Sequence, residues 1–149
     1  MKDLPALARS ISTLGPLGRC RLAPGTVGAA AAALLGLCLA VSCGTVAVAA
    51  LAAFTALVGQ WACETRGDGD EDPREVVIDE AAGQLVAVIG VRPGPAFVLA
   101  FGLFRLFDIW KPWPIGRIEE RGGRWAVMGD DVAAGCMARL LLIPVDLWM

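Results

Sequence analysis

The strongest constraint on the fold is a long stretch of sequence without a charged side chain. It runs from Leu22 to Cys63. One helix that crosses a bilayer needs about 20 apolar residues, so this stretch is long enough for two such helices. The residues SCGT at positions 42–45 supply a tight turn between them. We therefore predict a membrane-embedded helical hairpin over residues 22–63.

A second apolar segment predicts another helical hairpin. It covers residues 76–110, and the residues RPGP at positions 92–95 mark its apex. Each arm is shorter than one membrane span, so these helices can also enter the bilayer only partly. We predict a loop after this hairpin and a last helix that begins near Asp130 and Asp131. Tryptophans in this region suit a membrane interface: Trp110, Trp113 and Trp125.

The first residues predict a short amphipathic helix. Residues 3–14 place apolar side chains at spacings of three and four, at Leu4, Leu7, Ile11 and Leu14. We expect this helix to lie along the membrane interface. The same pattern also fits a helix that packs on the core of a soluble domain.

The composition agrees with a membrane-embedded helical protein. Of the 149 residues, 56% are hydrophobic and 19% are charged, whereas soluble domains average about 45–50% and about 25%. The length favours one domain over residues 1–149, and residues 64–75 predict an acidic, solvated linker. We therefore predict an all-α, compact membrane-embedded bundle with two apolar hairpins, an N-terminal interfacial helix and a C-terminal helix.

The basic residues predict the orientation in the membrane. In this topology ten of them share the face that carries the polar ends of the hairpins: Lys2, Arg9, Arg19, Arg21, Arg66, Arg74, Lys111, Arg117, Arg121 and Arg124. Arg92 lies at an opposite turn. Because positive charge marks the cytoplasmic side of membrane proteins, we expect this polar mouth to face the cytoplasm.

Charged residues on the two arms of the second hairpin lie at similar depth. Asp79 and Glu80 precede the apex, and Arg105 and Asp108 follow it. At the helical rise of 1.5 Å per residue, both pairs stand roughly 20 Å from the apex. Two antiparallel helices would therefore bring all four side chains to the polar mouth.

Five carboxylates gather at this mouth: Asp79, Glu80, Asp108, Asp130 and Asp131. Each has an ordinary structural explanation, because acids favour the first turn of a helix, cap helix N-termini or pair with a nearby cation such as Arg105 or Lys111. The set is harder to explain in this way. Ionisable residues in membrane segments are costly and usually functional, and adjacent carboxylates repel one another unless a cation lies between them.

The side-chain inventory indicates the cation and the chemistry. The sequence contains no His, which removes the usual general base and the commonest metal ligand. Carboxylates without His favour Mg²⁺ or a similar ion, which can activate water and bind a phosphoryl oxygen. Arg105 and Lys111 add cationic donors for a phosphate. The motifs of cysteine phosphatases, aspartyl-phosphate enzymes and nucleotide-binding loops do not occur in the sequence.

Four sequence blocks, in their order and spacing, resemble the phosphatidylglycerophosphatase A family. They are LAPGTVG (22–28), DPREVVIDEAAGQ (72–84), FRLFDIWKPWPI (104–115) and RWAVMGDDVAAG (124–135). The resemblance implies a multi-pass enzyme of the bacterial inner membrane that depends on Mg²⁺. Such an enzyme removes the terminal phosphate of phosphatidylglycerophosphate to give phosphatidylglycerol in phospholipid biosynthesis.

The resemblance also implies a role for each predicted site residue. The metal ligands would be Asp79, Glu80, Asp130 and Asp131, and the catalytic set adds Asp108. The phosphate-binding set would be Arg105, Lys111, Thr26 and Gly25. The last two lie at the start of the first apolar helix, where free backbone N–H groups favour an anion, although a proline, glycine and threonine before a helix are also ordinary turn and cap residues.

Two other classes of protein remain open from the residues alone. A non-enzymatic membrane subunit of a cation or lipid transport system would use the carboxylates to line a path, although they cluster at one end. A soluble helical enzyme with an apolar core would be extracted without detergent. The sequence leaves open whether the chain forms a homo-oligomer, and we expect no nucleic-acid partner at a net charge of -2.

Overall fold

Helices account for most of the backbone that the structure describes. A computed structural model describes residues 4–20, 23–66 and 75–148, except for the side chains of residues 124 and 146–148. Within these ranges the chain forms seven α-helices and no strand, which confirms the all-α prediction. They are α1 (Leu4–Ser12), α2 (Pro24–Cys43), α3 (Thr45–Thr65), α4 (Ile78–Ala87), α5 (Pro95–Trp110), α6 (Ile115–Glu120) and α7 (Arg124–Trp148), with a short 3-10 helix at Leu17–Arg19. The single domain over residues 1–149 stays a prediction.

The first predicted hairpin is confirmed as α2 and α3. Pro24 occupies the first turn of α2, and Gly44 makes the turn between the helices with a φ of 85°. Both helices are long and apolar enough to cross a membrane, with mean hydropathies of 2.1 and 1.8. Only 28% of each apolar window is buried, whereas the core helix of a soluble protein would be mostly buried. Phe54 and Leu57 of α3, for example, point outward with 64% and 73% exposure.

The second predicted hairpin is only partly observed. Its first arm, α4, ends at Ala87 instead of continuing to residue 91, and it packs mainly against α7, α2 and α3 rather than against α5. The reason is the close approach of α4 and α7 at two glycines. A Cβ atom added at Gly135 would lie 2.1 Å from the carbonyl oxygen of Gly83. Beyond the end of α4, Arg139 of α7 donates a hydrogen bond to the carbonyl of Ile89.

The prediction that the last helix begins near Asp130 and Asp131 was wrong. The helix α7 begins at Arg124, and α6 occupies part of the predicted loop. Ala126 and Met128 are buried, so packing of this first turn extends the helix through a segment that looked like loop because of its glycines. The two aspartates therefore lie within α7 and do not cap it.

The remaining predicted segments are observed in part. The helix α1 is confirmed within residues 3–14, and it buries Ala8 and Ser12 while Leu4 and Leu7 stay exposed. The predicted linker at 64–75 begins later, because α3 continues to Thr65. Its residues 67–74 lie outside the described part of the chain, as do the predicted cytoplasmic residues Lys2, Arg21 and Arg74 and the side chain of Arg124.

Candidate active site

A polar cavity of about 410 Å³ opens where the ends of several helices meet. The helices α2, α4 and α7 begin near this cavity, and α5 ends beside it. All nine residues that the sequence predicted for the site line it: Gly25, Thr26, Asp79, Glu80, Arg105, Asp108, Lys111, Asp130 and Asp131. The structure therefore brings the predicted set together, while the role of each residue stays a prediction.

Three carboxylates form a close group in this cavity. One oxygen from each of Asp79, Glu80 and Asp131 lies within 4.8 Å of the other two. Asp79 and Asp131 are each only 5% exposed. Three anions this close in a buried site repel one another strongly unless a proton or a cation is shared between them. All three donors are carboxylate oxygens, which are ligands that Mg²⁺ accepts.

The contact between α4 and α7 places these carboxylates together. Asp79 and Glu80 lie in the first turn of α4, and Asp131 lies in the second turn of α7. A Cβ atom added at Gly83 would lie 2.4 Å from the carbonyl oxygen of Asp131. The small residues of α4 thus let the backbone that carries Asp131 approach the turn that carries the other two acids.

Asp130 lies apart from this group and is paired with a cation. The Nζ atom of Lys111 donates hydrogen bonds to Asp130 at 2.7 Å and to Glu119 of α6 at 2.6 Å. Successive residues of a helix point about 100° apart, which separates the carboxylate of Asp130 from that of Asp131. The predicted four-carboxylate metal set is therefore observed as a group of three beside an Asp130–Lys111 pair.

Arg105 and Asp108 of α5 line the cavity beside the carboxylate group. The Nη1 atom of Arg105 donates a hydrogen bond to Asp108, three residues further along α5. The same Nη1 atom lies 4.0 Å from Oε1 of Glu80. This pairing is the ordinary structural explanation for Asp108, but Asp108 also faces Asp131 closely enough to raise its pKa. Asp108 thus lies beside both Arg105 and Asp131.

Gly25 provides the space for Glu80. A Cβ atom added at Gly25 would lie 1.8 Å from Oε1 of Glu80, so any larger residue would displace this carboxylate. Gly25 and Thr26 lie in the first turn of α2, whose backbone N–H groups have no partners within the helix. These N–H groups and the positive end of the helix dipole favour an anion at this side of the cavity.

Burial and mutual repulsion alter the acidity of the site. Burial, together with the charges of Asp79 and Asp108, raises the pKa of Glu80 from 4.5 to about 10. Burial and the same two neighbouring charges raise the pKa of Asp131 well above its ordinary value. Burial lowers the pKa of Lys111, but hydrogen bonds to Asp130 and Glu119 outweigh it and raise this pKa overall. Without a bound cation, the carboxylate group therefore retains protons at neutral pH, while Lys111 stays charged.

Two polar residues of the site region were not predicted from the sequence. Glu119 lines the cavity and accepts a hydrogen bond from Lys111. Gln84 is fully buried on α4, four residues after Glu80. The sequence does contain a signal for Gln84, which is a glutamine within an otherwise apolar segment. It lies four positions after Glu80 and therefore on the same face of the helix. Glu119 gave no such signal, because it falls among other charged residues of a predicted loop.

Comparison with known proteins places the chain among lipid phosphatases. A Haemophilus influenzae protein named phosphatidylglycerophosphatase A is 31% identical over 95% of both chains. An Escherichia coli protein of the same name is 31% identical over 57% of this chain and 52% of its own length. A Bacteroides thetaiotaomicron protein, whose name proposes phosphatidylinositol-3-phosphatase activity, is 35% identical over 85% of both chains. No solved structure was found to match the chain.

The family assignment rests on the extent of these matches. The sequence pattern of the phosphatidylglycerophosphatase A family matches residues 10–146. This range contains all four blocks that carried the resemblance and all nine predicted site residues. The chain belongs to the phosphatidylglycerophosphatase A family.

Proposed function

We propose that this chain is a Mg²⁺-dependent phosphatase that converts phosphatidylglycerophosphate to phosphatidylglycerol and inorganic phosphate. The observation that carries the proposal is the group formed by Asp79, Glu80 and Asp131 beside the cations Arg105 and Lys111 in one cavity. The family and the name of the Haemophilus relative support the substrate. The name of the Bacteroides relative gives a different lipid, but both names describe a phosphate monoester on a phospholipid head group.

The residues present suit a hard divalent cation. The close group offers only carboxylate oxygens, and Oε2 of Glu80 is buried without a hydrogen-bond partner among the described residues. A cation held by Asp79, Glu80 and Asp131 would relieve the repulsion that otherwise retains protons there. When bound, Mg²⁺ supplies a Lewis acid that polarises a phosphoryl oxygen and makes a water molecule more acidic.

The remaining residues of the cavity would hold and orient the phosphate. Arg105 and Lys111 offer charged N–H donors, and these can offset the negative charge that develops in an in-line attack by water. The N–H groups of Gly25 and Thr26 can bind a further phosphate oxygen. In this attack the new bond joins the water oxygen to phosphorus, the bond to the lipid glycerol oxygen breaks, and that oxygen takes up a proton and leaves as an alcohol. Either Asp108 or Asp130, each of which lies beside a cation, would accept the proton that the water loses.

We further propose that α2 and α3 cross the bilayer and that the cavity lies at its surface. These two helices expose most of their apolar windows. At the cavity end of the molecule, Trp61, Trp110, Trp113 and Trp125 are 40–75% exposed, as expected at a membrane interface. The acyl chains of the substrate would remain in the bilayer while its head group enters the cavity. The excess of basic residues at this end supports a cavity that faces the cytoplasm from the bacterial inner membrane.

The observed placement of charge weakens the transport alternative. The close carboxylate group lies at one end of the described bundle, and Arg139, the basic residue inside α7, is bonded to a backbone carbonyl. A path across the membrane would need polar groups along its length.

The direct test is phosphate release by the purified protein in detergent micelles that contain Mg²⁺. We expect release from phosphatidylglycerophosphate, loss of release with a chelator, and recovery when Mg²⁺ is restored. Phosphatidylinositol 3-phosphate in a parallel assay discriminates between the two activities that the relatives' names suggest. Release from that lipid alone would overturn the proposed substrate, and release from neither lipid would overturn the proposed function. The control is Gly102→Ala, because Gly102 lies on α5 with open space around it.

A further inference from the structure

Gln84 is a buried polar side chain that the proposed mechanism does not use. It is fully buried in α4, with 0% exposure. Neither its Oε1 nor its Nε2 atom has a hydrogen-bond partner among the residues that the structure describes. Buried amide groups in folded proteins are almost always hydrogen-bonded, because an unpaired one is costly. A carboxamide in this position therefore needs a role that outweighs the free-energy cost of burying it without a hydrogen bond.

The helix geometry directs Gln84 toward the carboxylate group. Residues four apart in an α-helix lie on the same face, and a helical side chain covers the turn that precedes it. Glu80 precedes Gln84 by four residues. The Oε2 atom of Glu80 is also buried without a partner in the described chain, while its Oε1 faces Gly25 and Arg105. An unpaired donor and an unpaired acceptor thus lie one turn apart on one helix.

We propose that Gln84 is a positioning residue for Glu80 in the metal-loaded site. Its Nε2 donates a hydrogen bond to Oε2 of Glu80, directly or through one water molecule, and this bond fixes the orientation of the Glu80 carboxylate. The proposal rests on the proposed metal site. It assigns Gln84 no contact with the substrate. Partners of this kind orient metal ligands, and their loss typically lowers metal affinity 10–100-fold.

The glutamine content of the chain permits a direct observation on the unaltered protein. There are only two glutamines, Gln60 and Gln84. Gln60 lies on α3, where its Nε2 donates a hydrogen bond to Glu64 at 2.6 Å. With ¹⁵N in the glutamine side chains, the protein in detergent should show two pairs of amide signals, and Gln60→Ala assigns them. We expect Mg²⁺ to shift the Gln84 pair and to leave the Gln60 pair unchanged. A Gln84 pair that saturating Mg²⁺ does not shift would overturn the proposal.

A substitution separates positioning from simple packing. Gln84→Met removes the carboxamide and nearly preserves its shape. Because the amide has no hydrogen-bond partner among the described residues, we expect the variant without Mg²⁺ to melt at the same temperature as the wild type or higher. The Mg²⁺ concentration that gives half of the maximal thermal stabilisation should rise about 10-fold or more. The matched control is Leu85→Met, which alters a neighbouring buried residue of α4 that packs in an apolar cluster.

The possible outcomes are distinct. If Gln84→Met and Leu85→Met require the same Mg²⁺ concentration as the wild type, Gln84 is a packing residue and the proposal is wrong. If Gln84→Met does not fold, the amide signals of the wild type decide the question. If the wild type releases no phosphate but its Gln84 signals still respond to Mg²⁺, the proposed substrate fails while the positioning role stands.

Discussion

The carbonyl oxygen of Gly83 lies so close to the Cα atom of Gly135 that a Cβ atom there would be 2.1 Å away. This contact sets the separation of α4 and α7, and hence the distance between the acids at their cavity ends. Asp79 and Glu80 lie on one of these helices and Asp131 on the other. The close packing of α4 against α7 therefore also brings the three carboxylates together.

We predict that Gly135→Ala separates the two helices and disrupts the site. The added methyl group meets backbone atoms that cannot rotate away, so we expect a destabilisation of about 1–3 kcal/mol or more and loss of phosphate release. The matched control is Gly102→Ala, whose methyl group enters open space and should stabilise its helix by up to about 1 kcal/mol. Thermal unfolding and activity of both variants check this prediction. Equal behaviour of the two variants would contradict it.

We predict that the metal-free protein becomes less stable as the pH rises. The folded-state pKa of Glu80 is raised to about 10 from the ordinary 4.5, so the folded protein holds a proton that the unfolded chain releases between these values. The stability linked to this proton is complete below about pH 4.5 and is lost as the pH rises toward 10. The measurement is the melting temperature in a chelator from pH 5 to 9.

Two conditions should change this pH dependence. Glu80→Gln removes the titrating group, so its melting temperature should fall less over the same range. Saturating Mg²⁺ should reverse the trend, because protons compete with the cation for the same oxygens. If Glu80→Gln and the wild type show the same slope without metal, Glu80 does not carry the shifted proton.

We predict that Lys111→Met destabilises the protein through Asp130. The Asp130 side chain is 7% exposed and accepts a hydrogen bond from Lys111 at 2.7 Å. Removal of the ammonium group leaves a buried carboxylate without this partner, at a cost of about 1–3 kcal/mol. Because Asp130→Asn removes the charge, we expect the double variant to recover part of that stability. A double-mutant cycle of melting temperatures measures the coupling, and strictly additive effects would contradict the pairing.

We predict that Leu57→Lys interferes with membrane insertion. Leu57 is 73% exposed in the middle of α3. In a soluble protein a lysine at such a site is harmless, whereas at the centre of a membrane helix it costs about 2.5–3.5 kcal/mol. The matched control is Val46→Lys, because Val46 lies at the helix end, where a lysine can reach the interface. The fraction of each variant in the membrane after alkaline extraction checks the prediction, and equal membrane fractions would contradict the placement of Leu57 inside the membrane.

The sequence predicted which residues line the cavity better than it predicted the lengths and packing of the helices. Matching depth along two apolar arms correctly brought Glu80 and Arg105 together, because helical rise is nearly independent of side-chain detail. The length of α4 and the start of α7 were not predictable in this way. They depend on which helix packs against Gly83, and Ala126 and Met128 extend α7 only because a tertiary core buries them. Tertiary packing overrides local propensity at both positions.

The sequence also does not show which of the two neighbouring aspartates, Asp130 or Asp131, joins the close carboxylate group. Asp130 and Asp131 are equivalent neighbours in the sequence, and both were predicted as metal ligands. In the structure one faces Asp79 and Glu80 while the other pairs with Lys111. The rotation of α7 about its axis decides between them, and this rotation follows from its contacts with α4.

The most direct test of the central claim is the Mg²⁺ dependence of phosphate release from phosphatidylglycerophosphate. It should be compared among the wild type, Asp79→Asn and Asp131→Asn. The account predicts chelator-sensitive release by the wild type, and at least a 100-fold loss in each variant at the Mg²⁺ concentration that saturates the wild type. Wild-type release that a chelator does not diminish, or full activity in both variants, would contradict the proposed metal site.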